Sequence, residues 1–569
     1  MSRRRLSLLF LVAVAAGAAL WLRSGPAPPR YNVVLISIDS LVRDRLGVYG
    51  HRAEFAPEIP VSPNLDALAH EGVVFDDAHA TSSWTLPSHM AILTGLSDGV
   101  HEVSVDKFFL DPLRRTLAQQ FERAGAATAG FYSGPYLDPY YGFGRGFGRY
   151  ESGMMPAEEL KRRTDFYLEK RRQAGEPVTG QDALGVRDRL SHVDITSPRV
   201  NRKALEFLDQ QDPGQPFFLF LHYFDAHYDY MPDQLQAGLG ESFDPDYRGS
   251  RSGMNWMFDP SVRELNERGK TSRRLITERD LRHVQALYDA EIHYVDQRIG
   301  EVLRKLRERG LWEDTIVCVV SDHGDEFFEH GSIGHRSTLF PEQTEMALIL
   351  RVPGGPQPGQ RVAGLARAYD VAPTLLDYAG LEALGEAEGA SLRPLVDGLE
   401  PAGRSSLHRM FGDLPFREAW RDRELAVHRN LVPDQELMSQ HSGWLFLEQA
   451  YSLQDGRRGL FVFDRGSDPD ELRPLPEDDP RVAVALGRYR ADFEAAEVRR
   501  QALPRSDLRS RYVGALSEEA KALLRDTLAG QGYTDAMEEF EQEDLPFPQI
   551  APLPAPGEDR CRWRPPAAG

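Results

Sequence analysis

Cysteine is nearly absent from this chain: there are two in 569 residues, Cys318 and Cys561. Two thiols so far apart exclude a disulfide-stapled scaffold and any zinc or redox motif built on paired cysteines. Cys318 lies in an apolar run and reads as a small core residue, and Cys561 falls in a Pro-rich tail. Positive charge is also scarce. Against 87 acidic residues stand 67 Lys and Arg, a net charge of −20, with no basic cluster along the sequence of any domain. That balance excludes a nucleic-acid partner, whose phosphates demand a basic footprint. Internal repeats are missing as well.

The one long apolar run is N-terminal. Arg3, Arg4 and Arg5 lead into residues 6–22, followed by Arg23 and a loop-like Ser24-Gly25-Pro26. Seventeen helical residues span roughly 25 Å, slightly short of a bilayer core, which suits a cleaved signal peptide or a membrane anchor flanked by arginines. No cysteine follows it, so lipidation there is excluded. The expectation is an exported protein, periplasmic or membrane-anchored, with its catalytic domain outside the cytoplasm.

The length exceeds what one hydrophobic core supports. Four regions are expected: 1–30 for targeting, 31–398 as the main domain, 399–505 as a smaller α+β subdomain with an antiparallel sheet, and 506–569 as a terminal helix and Pro-rich tail. Between 31 and 394, apolar strand runs alternate with amphipathic helical patterns, the mark of a doubly wound, mostly parallel α/β sheet. Helices are expected to open over 62–69, with Leu65, Leu68 and Ala69 on one face, and to run over 113–124 and 278–309, the last with Val284, Tyr288, Ile292, Val295, Ile299, Val302 and Leu306 on one face. Residues 231–274 read as an irregular cover on the substrate side. Beyond 398, strands are expected at 443–449 and 459–464, then helices over 479–500 and from Ser517.

In an open parallel sheet, ligands gather at the carboxyl ends of the strands. Two apolar runs end in donors there: residues 33–38 in Asp39, and residues 316–321 in Asp322 and His323. Thr85 adds a hydroxyl at the start of a helical segment whose backbone N–H groups favour an anion. Asp39, Thr85, Asp322 and His323 therefore form a candidate site for a divalent cation, with Thr85 as the nucleophile it activates. His323 suits manganese or zinc, while the oxygen donors keep calcium and magnesium open. His227, after the apolar run 217–224, and His330 and His335, in a glycine-loosened loop, are candidates to bind oxyanion oxygens or protonate a leaving group. His222, inside its strand, reads as packing or as a supporting partner.

These segments, in this order, resemble the sulfatase family of the alkaline phosphatase superfamily. The resemblance is carried by Asn32-Val33-Val34-Leu35-Ile36-Ser37-Ile38-Asp39, by Pro87-Ser88-His89-Met90-Ala91-Ile92-Leu93-Thr94-Gly95, and by Ser321-Asp322-His323-Gly324-Asp325 with His330-Gly331. Pro63-Asn64-Leu65, Asp225-Ala226-His227, Asp370-Val371-Ala372-Pro373-Thr374 and residues 464–472 extend it to most of the chain. It implies an alkaline phosphatase-like fold, a divalent metal on Asp39, Thr85, Asp322 and His323, and substrate contacts from His227 and His335. Two departures bear on the chemistry. Sulfatases place Cys or Ser before x-Pro-x-Arg, and oxidise it to formylglycine, where this chain has Thr85-Leu86-Pro87-Ser88-His89. The Lys-His pair of the family is also missing, with Ser133-Gly134-Pro135 near that place. A second acidic ligand after Asp39 is replaced by Ser40, with Asp44 as a nearby alternative.

Threonine cannot make the aldehyde that expels sulfate by elimination, so its ester must be resolved by attack at the central atom. The expected function is hydrolysis of phosphate mono- or diesters through a Thr85 intermediate. The alternatives are a sulfuric ester hydrolase, a phosphotransferase to an alcohol, and a non-catalytic binding relic. The expected substrate is a small-molecule, glycan or lipid-headgroup phospho- or sulfo-ester.

Overall fold

The most apolar runs of the sequence become the centre of one sheet. In the computed structural model, β1 (Asn32–Ile38) is buried along its whole length and pairs in parallel on both sides. The structure describes residues 28–506, leaving out 104–108, 266–270, 411–416, 431–458, most of 176–193 and a few single positions. The targeting segment, the strand expected at 443–449, the helix expected from Ser517 and the Pro-rich tail lie outside the described residues. Among the described residues, no helix is long and apolar enough to cross a membrane.

The sheet comprises β1, β2 (Val73–Phe75), β3 (Ala127–Tyr132), β4 (Arg149–Ser152), β5 (Phe217–Tyr223), β6 (Thr315–Ser321), β7 (Leu348–Arg351) and β8 (Gln360–Val362), in spatial order β8-β2-β7-β6-β1-β5-β3-β4. Only β7 runs against the rest. The doubly wound, mostly parallel α/β expectation therefore holds. In the registers Ile38↔Ser321 and Ile38↔Tyr223, the carboxyl ends of β1, β5 and β6 finish at one edge. Asp39, Phe224 and Asp322 all begin loops there.

Alternation along β1 sends Val34, Ile36 and Ile38 to one face and Val33 and Leu35 to the other. On the first face lie α1 (Pro63–Glu71), α4 (Ser197–Asp209) and α5 (Glu278–Glu308). On the second lie α2 (Thr85–Thr94), α3 (Leu117–Arg123) and α6 (Val371–Ala379). Both faces are thus covered, which is why these strands read as continuous apolar runs. Helix α3 starts four residues later than the pattern predicts. Thr116 and Gln119 form a capping box, each side chain bonding the other's backbone N–H, and this fixes the start.

Residues 231–274 carry more order than expected. Two short helices (Pro232–Leu235, Leu239–Phe243) cover α5, a hairpin pairs Arg263–Leu265 with Thr271–Arg274, and Trp256 is buried against Phe327. The smaller subdomain is an antiparallel sheet, β9 (Ser406–Met410), β10 (Arg417–Arg421), β11 (Leu425–Asn430) and β12 (Gly459–Asp464), with α7 (Pro480–Ala502) on one face. Its other face packs on the main domain. His408 meets the His79 ring at 5.6 Å, and Arg421 donates to Glu471 and to the Leu339 carbonyl.

Candidate metal centre and nucleophile

Strand geometry delivers the donors. Asp39 directly follows β1, and its N–H donates to the Tyr223 carbonyl at 2.9 Å, which carries the sheet pattern one residue beyond the strand. Asp322 and His323 follow β6 in the same way. Opposite them, extended Trp84 leads into α2, whose first residue is Thr85 and whose ten residues are all buried. The helix ends at Gly95 in the left-handed region (φ 69°), where a Cβ would meet Ala387 Cβ at 3.0 Å.

Asp39, Asp322 and His323 each bring one donor atom within 4.8 Å of the others. Thr85 Oγ1 lies 3.5 Å from both Asp39 oxygens and 3.2 Å from His323 Nε2. Each ligand is oriented from behind. Asp322 Oδ1 accepts from the N–H groups of Ser40 (3.1 Å) and His323 (2.9 Å), while its buried Oδ2 accepts no hydrogen bond. His323 Nδ1 faces the Gly324 carbonyl at 3.1 Å, which places its proton there and leaves the Nε2 lone pair toward the carboxylates. His222 Nε2 sits 3.2 Å from Asp39 Oδ2.

Burial makes this arrangement demand a cation. It pushes Asp322 well above the carboxylate range, and the Asp39 charge adds to that. Burial opposes ionisation of Asp39 too, but His222, His227 and His323 outweigh it and hold that carboxyl far below its usual value. The two carboxyls behave as one coupled site that holds a single charge easily and a second only against a positive ion. Burial and the His335 ring hold His323 down at about 4, so it is neutral at pH 7, the form that ligates metal.

A second cluster, Asp77, His79 and Glu345, offers the same donor types. There Arg465 pairs with Asp77 at 2.6 Å and Arg43 with Glu345 at 2.6 Å, so its charge is already met and it ties the subdomain to the main domain. No Lys or Arg pairs with Asp39 or Asp322 among the described residues. The donor set, the unmatched carboxylates and the orphaned Oδ2 fit a divalent ion at Asp39, Asp322 and His323 with Thr85 beside it.

His227 and His335 come to this centre. Their rings lie 5.0 Å apart, and His335 is 4.5 Å from the His323 ring. Asp325, raised to about 6 by burial, accepts from His335 Nδ1 at 2.6 Å and from the Tyr230 hydroxyl at 2.5 Å. The Tyr230–Asp325–His335 chain fixes the imidazole with Nε2 on the opposite edge. Asp325 and Tyr230 are site residues that sequence reasoning passed over. Asp325 stood in the quoted motif, but its partners lie 10 and 95 residues away.

His89, in the place of the family arginine, links Ser37 Oγ (2.8 Å) to the Thr85 carbonyl (2.8 Å). Burial and His222 keep it at about 3, so it adds no positive charge. Ser40 donates to Asp39 Oδ1 at 3.0 Å instead of replacing the missing acidic ligand. Asp44 is exposed and paired with Arg43, away from the centre.

His330 does not belong to the centre. Its Nδ1 bonds Glu342 at 2.7 Å, its Nε2 faces the Glu471 carbonyl, and its ring stacks on Phe340 at 3.7 Å. Gly331 and Gly334, both in the left-handed region (φ 83° and 73°), turn the chain between the two histidines, and of the two it is His335 that meets the His323 ring. Burial works against the charge of His330, but Glu342 outweighs it and raises the group to about 9. The raised value gives stability that is full below about 6.5 and lost as pH rises through about 9, roughly 3 kcal/mol at about 1.4 kcal/mol per pKa unit. His330→Asn is expected to lower the melting temperature at pH 6 and to lose that deficit at pH 10. An equal deficit at both values would show that packing, not charge, carries the effect.

Comparison with known proteins agrees with this geometry. A family model described as Sulfatase matches residues 31–381. The chain belongs to the sulfatase family. An arylsulfatase of Clostridium perfringens is 27% identical over 407 residues, covering 66% of this chain and 80% of the relative. A multifunctional alkaline phosphatase superfamily protein, PehA of Trinickia caryophylli, is 26% identical over 430 residues, 69% of this chain and 82% of that protein. The crystal structure of a phosphonate monoester hydrolase of Agrobacterium radiobacter superposes with a TM-score of 0.57 at 20% identity, covering 83% of this chain and 96% of the other. The fold is therefore alkaline phosphatase-like, and this sulfatase-family member is a hydrolase of ester bonds.

Proposed function

We propose that this sulfatase-family member hydrolyses phosphate mono- or diesters through a covalent intermediate on Thr85. The observation that carries the reading is a threonine hydroxyl, not a cysteine or serine, 3.2 to 3.5 Å from His323 and Asp39. Asp39, Asp322 and His323 would hold a divalent ion, which when bound would supply the positive potential that acidifies a neighbouring hydroxyl and draws charge from ester oxygens. Thr85 Oγ1, its proton lost to solvent, forms a bond to phosphorus as the bond to the leaving oxygen breaks. In this reading His335, held by Asp325, protonates that oxygen, and His227 hydrogen-bonds a non-bridging one. Water then attacks phosphorus and releases Thr85, a route open to phosphorus without formylglycine.

The phosphonate monoester hydrolase neighbour supports the phosphoester reading. A sulfate ester is the second reading, favoured by the arylsulfatase relative. The basic and apolar N-terminal segment supports export, to the periplasm or the outer face of a membrane. The test is turnover of p-nitrophenyl phosphate, bis(p-nitrophenyl) phosphate and p-nitrophenyl sulfate by metal-loaded protein. One phosphate ester is expected to exceed the sulfate by about 100-fold in kcat/KM, with loss under chelator and recovery with manganese or zinc. Turnover of the sulfate alone would overturn the proposal.

A further inference from the structure

Ser83, two residues before the nucleophile, is where three parts of the chain converge. The Arg336 N–H donates to the Ser83 carbonyl at 2.9 Å, and Ser83 Oγ lies 3.6 Å from Met410 Sδ. Met410 ends β9 and pairs with Arg417 at the start of β10. Residues directly opposite in an antiparallel pair point to the same face. Arg417 therefore lies on the face that β9 and β10 turn toward Ser83. Arg336, from the loop after His335, and Arg417, from the subdomain, thus both belong to segments that meet at Ser83, two residues before Thr85.

Each has a feature that secondary structure does not explain. The Arg336 guanidinium stacks 4.3 Å over the Trp84 ring, and its Nη1 donates to the Tyr136 hydroxyl at 3.1 Å. Stacking occupies the flat face of a guanidinium, while the donors that grip an oxyanion lie in its plane, so an aromatic-held arginine is oriented in advance for an anion. Its backbone is also in the left-handed region at φ 61°, a conformation that costs free energy in a residue with a Cβ.

Arg417 is 6% exposed, yet no hydrogen bond or ion pair engages its guanidinium among the described residues. Glu326 acts on it at a distance, but that carboxylate is already met by Gln343 Nε2 (2.9 Å) and the His330 N–H (3.0 Å). A buried cation without an anion is costly. Burial accordingly lowers Arg417 to about 10.

We infer that Arg336 and Arg417 form an anion subsite beside Ser83, so that the ester cleaved at Thr85 carries a second anionic group. This deepens the phosphoester reading and rests on it for the reacting end. Because Trp84 is extended, Ser83 and Thr85 are separated by roughly 7 Å, the reach of a linker of a few atoms. The substrate class is a bis-anion, such as a phosphoester whose organic part bears a carboxylate, a phosphate or a sulfate.

The probes are ω-carboxyalkylphosphonates of increasing chain length, each compared with the alkylphosphonate of equal length. Dissociation constants come from calorimetry on the metal-loaded full chain. At the best length the carboxylate should tighten binding about tenfold. Arg336→Gln and Arg417→Gln should each collapse that ratio toward one, and Arg162→Gln, on an exposed helix, should preserve it. The ratio is read within each variant, so a general loss of affinity cancels, and Arg336→Gln serves if Arg417→Gln fails to fold. No gain from the carboxylate at any length, no binding of any carboxyalkylphosphonate, or a ratio that survives in the folded variants overturns the subsite. Turnover of p-nitrophenyl phosphate is followed separately. Its absence beside an intact carboxylate preference would sink the hydrolase reading and spare the subsite.

Discussion

Thr85→Ala is expected to reduce kcat/KM on the preferred ester by about 10,000-fold or more, with the fold and bound metal retained. The variant removes one hydroxyl and one methyl group at the first position of a buried helix. Alanine is the best helix former, and the N-terminal N–H groups of α2 keep their positions, so the helix should persist. Asp39, Asp322 and His323 also remain, and they account for most of the metal affinity. The measurements are metal content by elemental analysis, melting temperature and single-turnover kinetics. Thr85→Ser should retain measurable activity, because a primary hydroxyl can make the same ester. If Thr85→Ala kept a tenth of the activity, attack by water without a covalent intermediate would replace the proposed route.

The second large effect concerns Asp322→Asn. The change keeps the shape, and the amide oxygen can still accept from Ser40 and His323. It removes one of two carboxyls that share a buried site with no arginine or lysine among the described residues to balance them. Metal affinity should fall by about 100-fold or more, and activity with it. Stability should move oppositely in the metal-free protein. There the variant should be more stable than the parent by about 1–3 kcal/mol at pH 7, since a neutral amide replaces a carboxyl that burial and Asp39 hold far above its usual value. The sign follows from that shift. A carboxyl raised on folding destabilises above its folded value, and the parent should recover as acid protonates it. Denaturant melts of chelator-treated proteins check this. A metal-free variant less stable than its parent would mean that Asp322 is held by more than the two backbone N–H groups.

The parts of the site that could be read in sequence are those written by local pattern. Apolar runs of strand length that end in Asp39 and Asp322-His323 announce both the buried strands and their carboxyl-end donors. The long helix α5 matched its expected span to within one residue because its apolar stripe, from Leu281 to Leu306, runs unbroken for about seven turns. What escaped was set by contacts across distance. His330 and His335 look alike in a loop without periodicity, and only the fold assigns one to Phe340 and Glu342 and the other to Asp325. Tyr230 reaches Asp325 from another loop, and nothing around either residue signals the pair. The early start expected for α3 had a legible remedy in the Thr116-x-x-Gln119 box. Arg417 gave no sign at all, since its position follows from the pairing with Met410, which meets Ser83 from a distant part of the chain.

The register Asn32↔Thr315 joins strands nearly three hundred positions apart, and the two carboxylates stand at the far end of that pairing. A ribosome must therefore release more than half of the chain before both acids exist in one place. Whatever ion they share can be captured only after the middle strands have closed on each other. Loading thus follows the pairing of β1 with β6 rather than seeding it.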